Sequence, residues 1–280
     1  MHKIFSLSRK EQLAVQFILI AWACVVLIPL GVAVINSFKP NLGEVYRAPL
    51  ALPSEWTWSN YAEAWVGANF GGYFLNSAIV SLSVVVIVCF CASTTAFVLV
   101  RMPFRGSALL FACFMIGVII PIRLALAPLF TIVKGLGLLD TLTGLILVQS
   151  ASMMPVAVFI LTAFLKSVPS ELEDAARMDG ALPFQIYWRV VLPLIRPALA
   201  TVALLSFVQA WNEYFLPLIF LQSSELYPLT LGIAEFRAQF SVQWHLMFAG
   251  ILIMLAPTVI AFLLASRQFI EGLTQGGVKE

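Results

Sequence analysis

The chain has 280 residues, 61% of them apolar and only 11% charged, with a formal net charge of +2 and a mean hydropathy of +0.97. Ordinary soluble domains carry roughly 25% charged residues, so this composition excludes a soluble globular enzyme. The 22 Phe and 7 Trp exclude a disordered chain, and the charge is too small for nucleic-acid binding; a body embedded in lipid remains.

Residues 1–11 form a short basic tail. A helix crossing ~30 Å of hydrocarbon needs about 20 mainly apolar residues, and six segments qualify: about 12–35, 73–100, 107–133, 141–165, 198–221 and 246–266. Their continuous apolar runs, without strict alternation, favour helices over a β-barrel. The first run holds 24 uncharged residues, too long for the apolar core of a signal peptide, and is expected to be an uncleaved span. The segment 36–72 that follows is rich in Pro and aromatics (Pro40, Pro49, Pro53, Trp56, Trp58, Tyr61, Trp65). It fits an interfacial aromatic belt or a lip that contacts an external partner. Of the 16 Lys and Arg, 11 fall on the side of the N-terminus and four on the other. This bias predicts cytoplasmic N- and C-termini by the positive-inside rule. The four Cys lie inside apolar runs without ligand-type spacing, so no metal site is expected.

Two spans contain ionisable groups, which are expensive in lipid and usually functional. Arg123 and Glu213 each fall ~15 Å from the outer end of a span by the helical rise, so equal depth permits an ion pair or a shared polar cavity. Pro121 and Pro128 flank Arg123 and can break its helix. Trp211 and Asn212 precede Glu213, placing a ring face beside polar groups, as sugar sites do. These four residues fit a translocation pathway, or an interhelical lock without substrate contact.

The segment 166–196 carries the most specific signal. Pro169 stops the preceding element, Ser170 is a good N-cap with Glu173 three residues on, and Glu171, Glu173 and Asp174 crowd a first turn where the helix dipole favours anions. Gly180 is placed to end the helix in the left-handed conformation. Residues 182–192 then predict a second short helix closed by Pro193. The four acids Glu171, Glu173, Asp174 and Asp179 are expected to face water, with Ala175 and Ala176 as a close-approach face.

The runs Asp174-Ala175-Ala176, Asp179-Gly180-Ala181 and Val190-Val191-Leu192-Pro193 resemble the EAA loop of ABC importer permeases, with Asp174 where Glu is usual and Val190 where Ile is usual. Asn36-Ser37-Phe38-Lys39-Pro40, Asn60-Tyr61, Trp211-Asn212-Glu213 and the ending Gly272-Leu273-Thr274-Gln275-Gly276-Gly277-Val278-Lys279 resemble the carbohydrate-uptake branch and its maltose-type second permease. The resemblance implies an all-α polytopic membrane protein: a tail 1–11, a permease body 12–266 with six spans and a coupling-helix loop 166–196, and a cytoplasmic tail 267–280. It implies a non-enzymatic subunit in a bacterial or archaeal cytoplasmic membrane, importing a sugar or oligosaccharide. It further implies a second permease, an extracytoplasmic solute-binding protein, and an ATPase dimer gripping Glu171, Glu173, Asp174, Ala175, Ala176, Asp179, Gly180 and Ala181. The tail residues Gln275, Gly276 and Gly277 would lie near that ATPase. ATP and Mg would be bound by the ATPase, since this chain has no Gly-x-x-x-x-Gly-Lys-Ser/Thr loop and no cofactor of its own. The alternatives are a glycerol-3-phosphate or polyol importer, with Arg123 meeting a phosphate, and a proton-coupled carrier using Glu213.

Overall fold

A computed structural model describes the backbone of residues 9–67, 69–239 and 243–277, and the side chains of all these except 237–239 and 267–277. Among the described residues every regular element is helical: α1 (Arg9–Ser37), α2 (Leu42–Arg47), α3 (Ser59–Gly67), α4 (Phe70–Arg101), α5 (Ser107–Ile119), α6 (Leu126–Gly135), α7 (Leu142–Ser167), α8 (Glu171–Met178), α9 (Pro183–Ile186), α10 (Leu192–Leu194), α11 (Arg196–Asn212), α12 (Phe215–Phe220), α13 (Leu229–Gln239) and α14 (Trp244–Gly277). Short 3-10 turns at Ile122–Ala125 and Ser224–Leu226 and a π turn at Tyr187–Val191 link some of them.

By length and apolarity α1, α4, α7 and the Trp244–Ser266 part of α14 can each cross a membrane, and two bent pairs bring the number to six if each is one span. The span expected over 107–133 is broken beside Pro121: α5 and the helix after it meet at 96°. Pro121 has no N–H and disfavours a helical residue before it, and Ile120 is extended (φ −81°, ψ 117°). Pro128 falls in the first turn of α6, where proline is tolerated. The segment expected over 198–221 is interrupted as well. Its helix α11 stops at Asn212, Glu213 is extended (φ −70°, ψ 123°), and α12 restarts at Phe215. At its other end α11 meets the preceding short helices at 77°.

The chain divides into two compact units, Met1–Phe70 with Glu235–Ile253, and Gly71–Ala234 with Met254–Glu280. In the first, α1 is exposed along nearly its whole length and buries side chains only at Asn36 and Ser37. The chain after it is held by polar bonds. Asn60 donates to Ser37 O and Lys39 O, both at 2.8 Å. Asn36 donates to Pro49 O at 2.8 Å, and Ser37 Oγ pairs with the Tyr61 hydroxyl at 2.7 Å. Buried Lys39 donates to Ala48 O at 2.6 Å, and burial pushes its ammonium below the usual lysine range, opposed in part by Glu44. The Phe38 ring meets Trp56, Trp58 and Tyr61. The Asn-Ser-Phe-Lys and Asn-Tyr runs are thus the two halves of one clasp.

The second unit is built on α4 and α7. Val80, Val84, Val88, Ala92 and Ala96, spaced by four on α4 and therefore on one face, are buried with Leu145, Val158, Leu161 and Leu165 of α7. α5 lies so close to α7 that a Cβ on Gly117 would stand 2.9 Å from Pro155 Cγ. Asp140 ties the turn before α7 to the segment after α12. Its N–H donates to Phe220 O at 2.9 Å, and its carboxylate accepts from Gln222 N–H at 2.8 Å and from the N–H and hydroxyl of Ser223. Those bonds, the Ser223 hydroxyl foremost, hold the carboxyl below the usual carboxylate range. Asp140 accepts a left-handed backbone (φ +56°) to reach them.

Candidate functional site

Two sets of residues were singled out by the sequence, the loop after α7 and the polar residues of the broken spans. The loop folds as an elbow. α8 starts without the expected box: Ser170 is already helical and makes no side-chain cap, while its carbonyl accepts from Glu173 N–H at 2.9 Å and Asp174 N–H at 3.0 Å. The Glu173 side chain is engaged elsewhere. It is fully buried, contrary to the expectation that it faces water, and Arg101 Nε donates to its Oε1 at 2.6 Å. The end of α4 lies under the first turn of α8, and the acid that faces inward there meets the cation that closes α4. Arg101 also donates through Nη2 to Leu165 O at 3.1 Å and Val168 O at 2.7 Å, two carbonyls at the α7 terminus.

Glu171, Asp174, Ala175 and Asp179 are exposed. Asp174 accepts from Arg177 Nη1 at 2.7 Å, with both side chains about half exposed, a geometry that adds little stability. Ala176 and Ala181 are half-buried against the core of the second unit. The helix ends as expected: Gly180 is left-handed (φ +80°), Ala181 N–H donates to Ala176 O at 2.9 Å and Gly180 N–H to Arg177 O at 3.0 Å. These are the two bonds of a Schellman motif. The rim of the elbow is apolar, with Leu172 54%, Met178 89%, Leu182 64% and Phe184 71% exposed.

The second short helix departs from its expected form. Pro193 does not close it but lies within α10, and the chain upstream widens into the π turn, with Leu192 N–H bonded to Tyr187 O. Proline lacks the N–H that a regular ladder needs, and a π turn is a common accommodation that recurs at functional sites. Tyr187 is buried, pairs through its hydroxyl with Ser93 Oγ of α4 at 2.7 Å, and stacks at a tilt on Phe97, 5.4 Å between centroids.

The polar residues of the broken spans are not bonded directly to one another, though Arg123 and Glu213 both meet Phe215. Arg123 sits exposed on the 3-10 turn after Pro121, its guanidinium 5.1 Å from the centroid of the Phe215 ring. Glu213 Oε1 accepts from Phe215 N–H at 2.8 Å and Leu216 N–H at 3.1 Å, capping α12 across the break. Among the described residues the ion pairs are Arg101–Glu173, Arg177–Glu173 and Arg177–Asp174, so the direct Arg123–Glu213 pair is not formed. Trp211 is 2% exposed, donates to Met254 O of α14 at 2.9 Å and stacks on Phe207 at 5.7 Å. Its ring is a helix-to-helix contact. Asn212 is exposed and donates to Val208 O at 2.8 Å. The side chain of Gln275, and whatever surrounds Gly276 and Gly277, lie outside the described residues; the backbone of all three is helical.

The positions of this elbow carry the motif that suggested a transport role. Residues 85–268 match the profile of the binding-protein-dependent transport system inner membrane component family. The chain belongs to that family. This permease is 34% identical over 261 residues to the diacetylchitobiose uptake system permease protein of Streptomyces coelicolor, covering 92% of this chain and 86% of that one. It is 33% identical over 259 residues to the melibiose/raffinose/stachyose import permease protein of Bacillus subtilis, covering 92% and 93%. Among solved structures, a chain of a bacterial ABC transporter involved in the import of the acidic polysaccharide alginate superposes on the permease with a TM-score of 0.81 at 24% identity, over 94% of this chain and 99% of that one. That likeness shows the fold.

Arg101 and Asp140 escaped the sequence reading. Arg101 counted only as one more inner-side cation, and Asp140 as an unremarked acid before an apolar run. The signal for Arg101 was its position as the last residue of a long span, next to a carbonyl-rich helix end on the same side.

Proposed function

We propose that this permease forms half of the translocation pore of an ATP-driven importer of a sugar or oligosaccharide, and that the α8 elbow docks into a separate ATP-binding cassette ATPase. The observation that carries this reading is the elbow itself. Its outward rim combines acids (Glu171, Asp174, Asp179), a small flat position (Ala175) and exposed apolar anchors. Its inward side is tied to α4 and α7 through Arg101. A helix anchored on one side and unpartnered on the other suits a groove on another protein.

In this reading the termini and the elbow are cytoplasmic and a second permease completes the pore. The end of α14, with Gln275, Gly276 and Gly277, lies near the ATPase. An extracytoplasmic solute-binding protein delivers cargo on the opposite side, and ATP and Mg stay on the ATPase. The relatives named for diacetylchitobiose and for melibiose, raffinose and stachyose support a carbohydrate cargo.

The test is reconstitution of the permease with its genomic neighbours in proteoliposomes, offered diacetylchitobiose, melibiose, raffinose and stachyose. ATP-dependent uptake that needs the ATPase and the binding protein is expected. Cargo movement by this chain alone, or driven by a proton gradient without ATP, refutes the reading. A cysteine at Ala175 is expected to crosslink to the ATPase, and absence of any such crosslink removes the docking role.

A further inference from the structure

We propose that Arg101 is a positioning residue that makes the α8 elbow and the inner end of α4 move as one body, so that motion delivered to the elbow enters the helices through α4. This rests on the docking role given above to α8.

Three observations support it. First, α8 has only eight residues, and helices that short do not hold an orientation by themselves. Glu173 is its one fully buried side chain, so the attachment of α8 depends on what Glu173 meets. It meets Arg101, which is itself only 11% exposed. Second, the same guanidinium spans three elements. It grows from α4, donates through Nε to the α8 carboxylate, and donates through Nη2 to two carbonyls at the end of α7. A planar fork of fixed donors can satisfy all three at once; a lysine, a single point of charge, cannot. Third, the rest of the elbow hangs on the same stripe of α4. Ser93, Phe97 and Arg101 are spaced by four and share a face. Ser93 and Phe97 hold Tyr187, the first residue of the π turn, and Arg101 holds Glu173. The adjacent row of α4, from Val80 to Ala96, is packed in the core, so displacement of this stripe displaces the bundle.

Stability alone does not account for a buried ion pair here, because well-packed apolar residues in its place are often as stable or more so. What the pair adds is direction: two bonds to the end of α7 fix the guanidinium, and its Nε then offers the Glu173 carboxylate one bonding direction, where apolar contact would allow sliding.

The experiment uses the whole transporter with its ATPase. Spin labels at positions 102 and 170, on a background lacking native Cys, report the distance between the end of α4 and the start of α8 without and with ATP plus vanadate. The wild type is expected to give one narrow distance, the same in both states. Arg101→Gln and Glu173→Gln are expected to broaden it and to lower uptake per ATP hydrolysed at least tenfold, using whichever of the four sugars above the wild type accumulates. Arg101→Lys is expected to fall between. A double variant, Arg101→Leu with Glu173→Leu, separates positioning from folding: it is expected to recover assembly with the ATPase and thermal stability while its distance stays broad and its uptake per ATP stays low.

The proposal is overturned by a wild-type distance that changes with nucleotide, by single variants with normal uptake per ATP, or by a double Leu variant that transports normally. Loss of assembly in every variant, the double one included, assigns the pair to folding alone and also overturns it. Failure of the importer reading shows separately, as ATP-independent uptake by the wild type.

Discussion

Replacement of Gly180 isolates backbone geometry from packing. The residue stands at φ +80°, and an added Cβ would have no heavy atom within 4 Å. A side chain here therefore meets no steric wall from the rest of the protein; its whole cost lies in holding the left-handed conformation. That cost is roughly 1–2 kcal/mol for an ordinary L-residue, greatest for a β-branched one, and smallest for Asn, which adopts this region readily. The protein's overall stability of about 5–15 kcal/mol absorbs such a cost, so assembly survives. The strain is relieved where the structure is weakest, by opening the bonds from Ala181 to Ala176 O and from Gly180 to Arg177 O, which frees α9 from its angle to α8. A cost of one to two kcal/mol shifts such an equilibrium about 5- to 30-fold. Sugar uptake per ATP hydrolysed in proteoliposomes is expected to fall in the order Asn, Ala, Val, with Gly180→Asn near the wild type and Gly180→Val down about tenfold or more. The ordering is the decisive part. Normal uptake in Gly180→Val refutes the reasoning, and so does Asn performing as badly as Val, since that would point to side-chain size or chemistry at a position where the space is open.

Asn60→Ala is expected to lower stability by about 2 kcal/mol, because it strands two buried carbonyls, Ser37 O and Lys39 O; a thermal melt in detergent reads the loss. Trp211→Phe keeps the ring contacts and loses the bond to Met254 O, about 1 kcal/mol, with the KM for sugar unchanged; a several-fold rise in KM would place Trp211 on the cargo instead. Asp140 has a depressed folded-state pKa, so its contribution is fully present above the usual aspartate value near 3.9 and is lost as pH falls through the lower folded value. The melting temperature of the wild type is therefore expected to exceed that of Asp140→Asn at pH 7 and to converge on it as pH drops below about 4; a gap that persists at low pH would contradict the assigned bonds.

Much of this architecture was legible in the order of residues. Lipid excludes unpaired backbone groups, so long apolar runs without strict alternation form helices, and α1, α4, α7 and α14 follow from that. Pro121 foretold a break near Arg123, because a missing N–H is a local defect that no context repairs. Gly180 foretold the end of α8 for the same reason: a positive φ is a property of one residue and its neighbours. Other features were invisible because they depend on where distant segments meet. Glu173 satisfied the local pattern of a capping box, yet its carboxylate turned to Arg101, 72 residues away in sequence. A buried cation outcompetes a backbone N–H for a carboxylate, and only the packing of α4 under α8 brings that cation there. Glu213 gave every sign of an intramembrane charge awaiting a partner; the chain instead breaks at that point and the carboxylate caps the helix that follows.

Sequence alone determined the class of the molecule, an all-helical membrane protein, along with the place of its elbow and the glycine that bends it; the permease family entered through the resemblance of its motifs. These rest on composition, period and single-residue conformational limits, which act over a few residues. Tertiary structure decided which acids of the elbow face outward, which one is spent holding it, and that the Trp211 ring is tied to α14. Those outcomes turn on competition between partners for the same hydrogen-bonding atoms, and that competition is settled only when helices far apart in the chain come together.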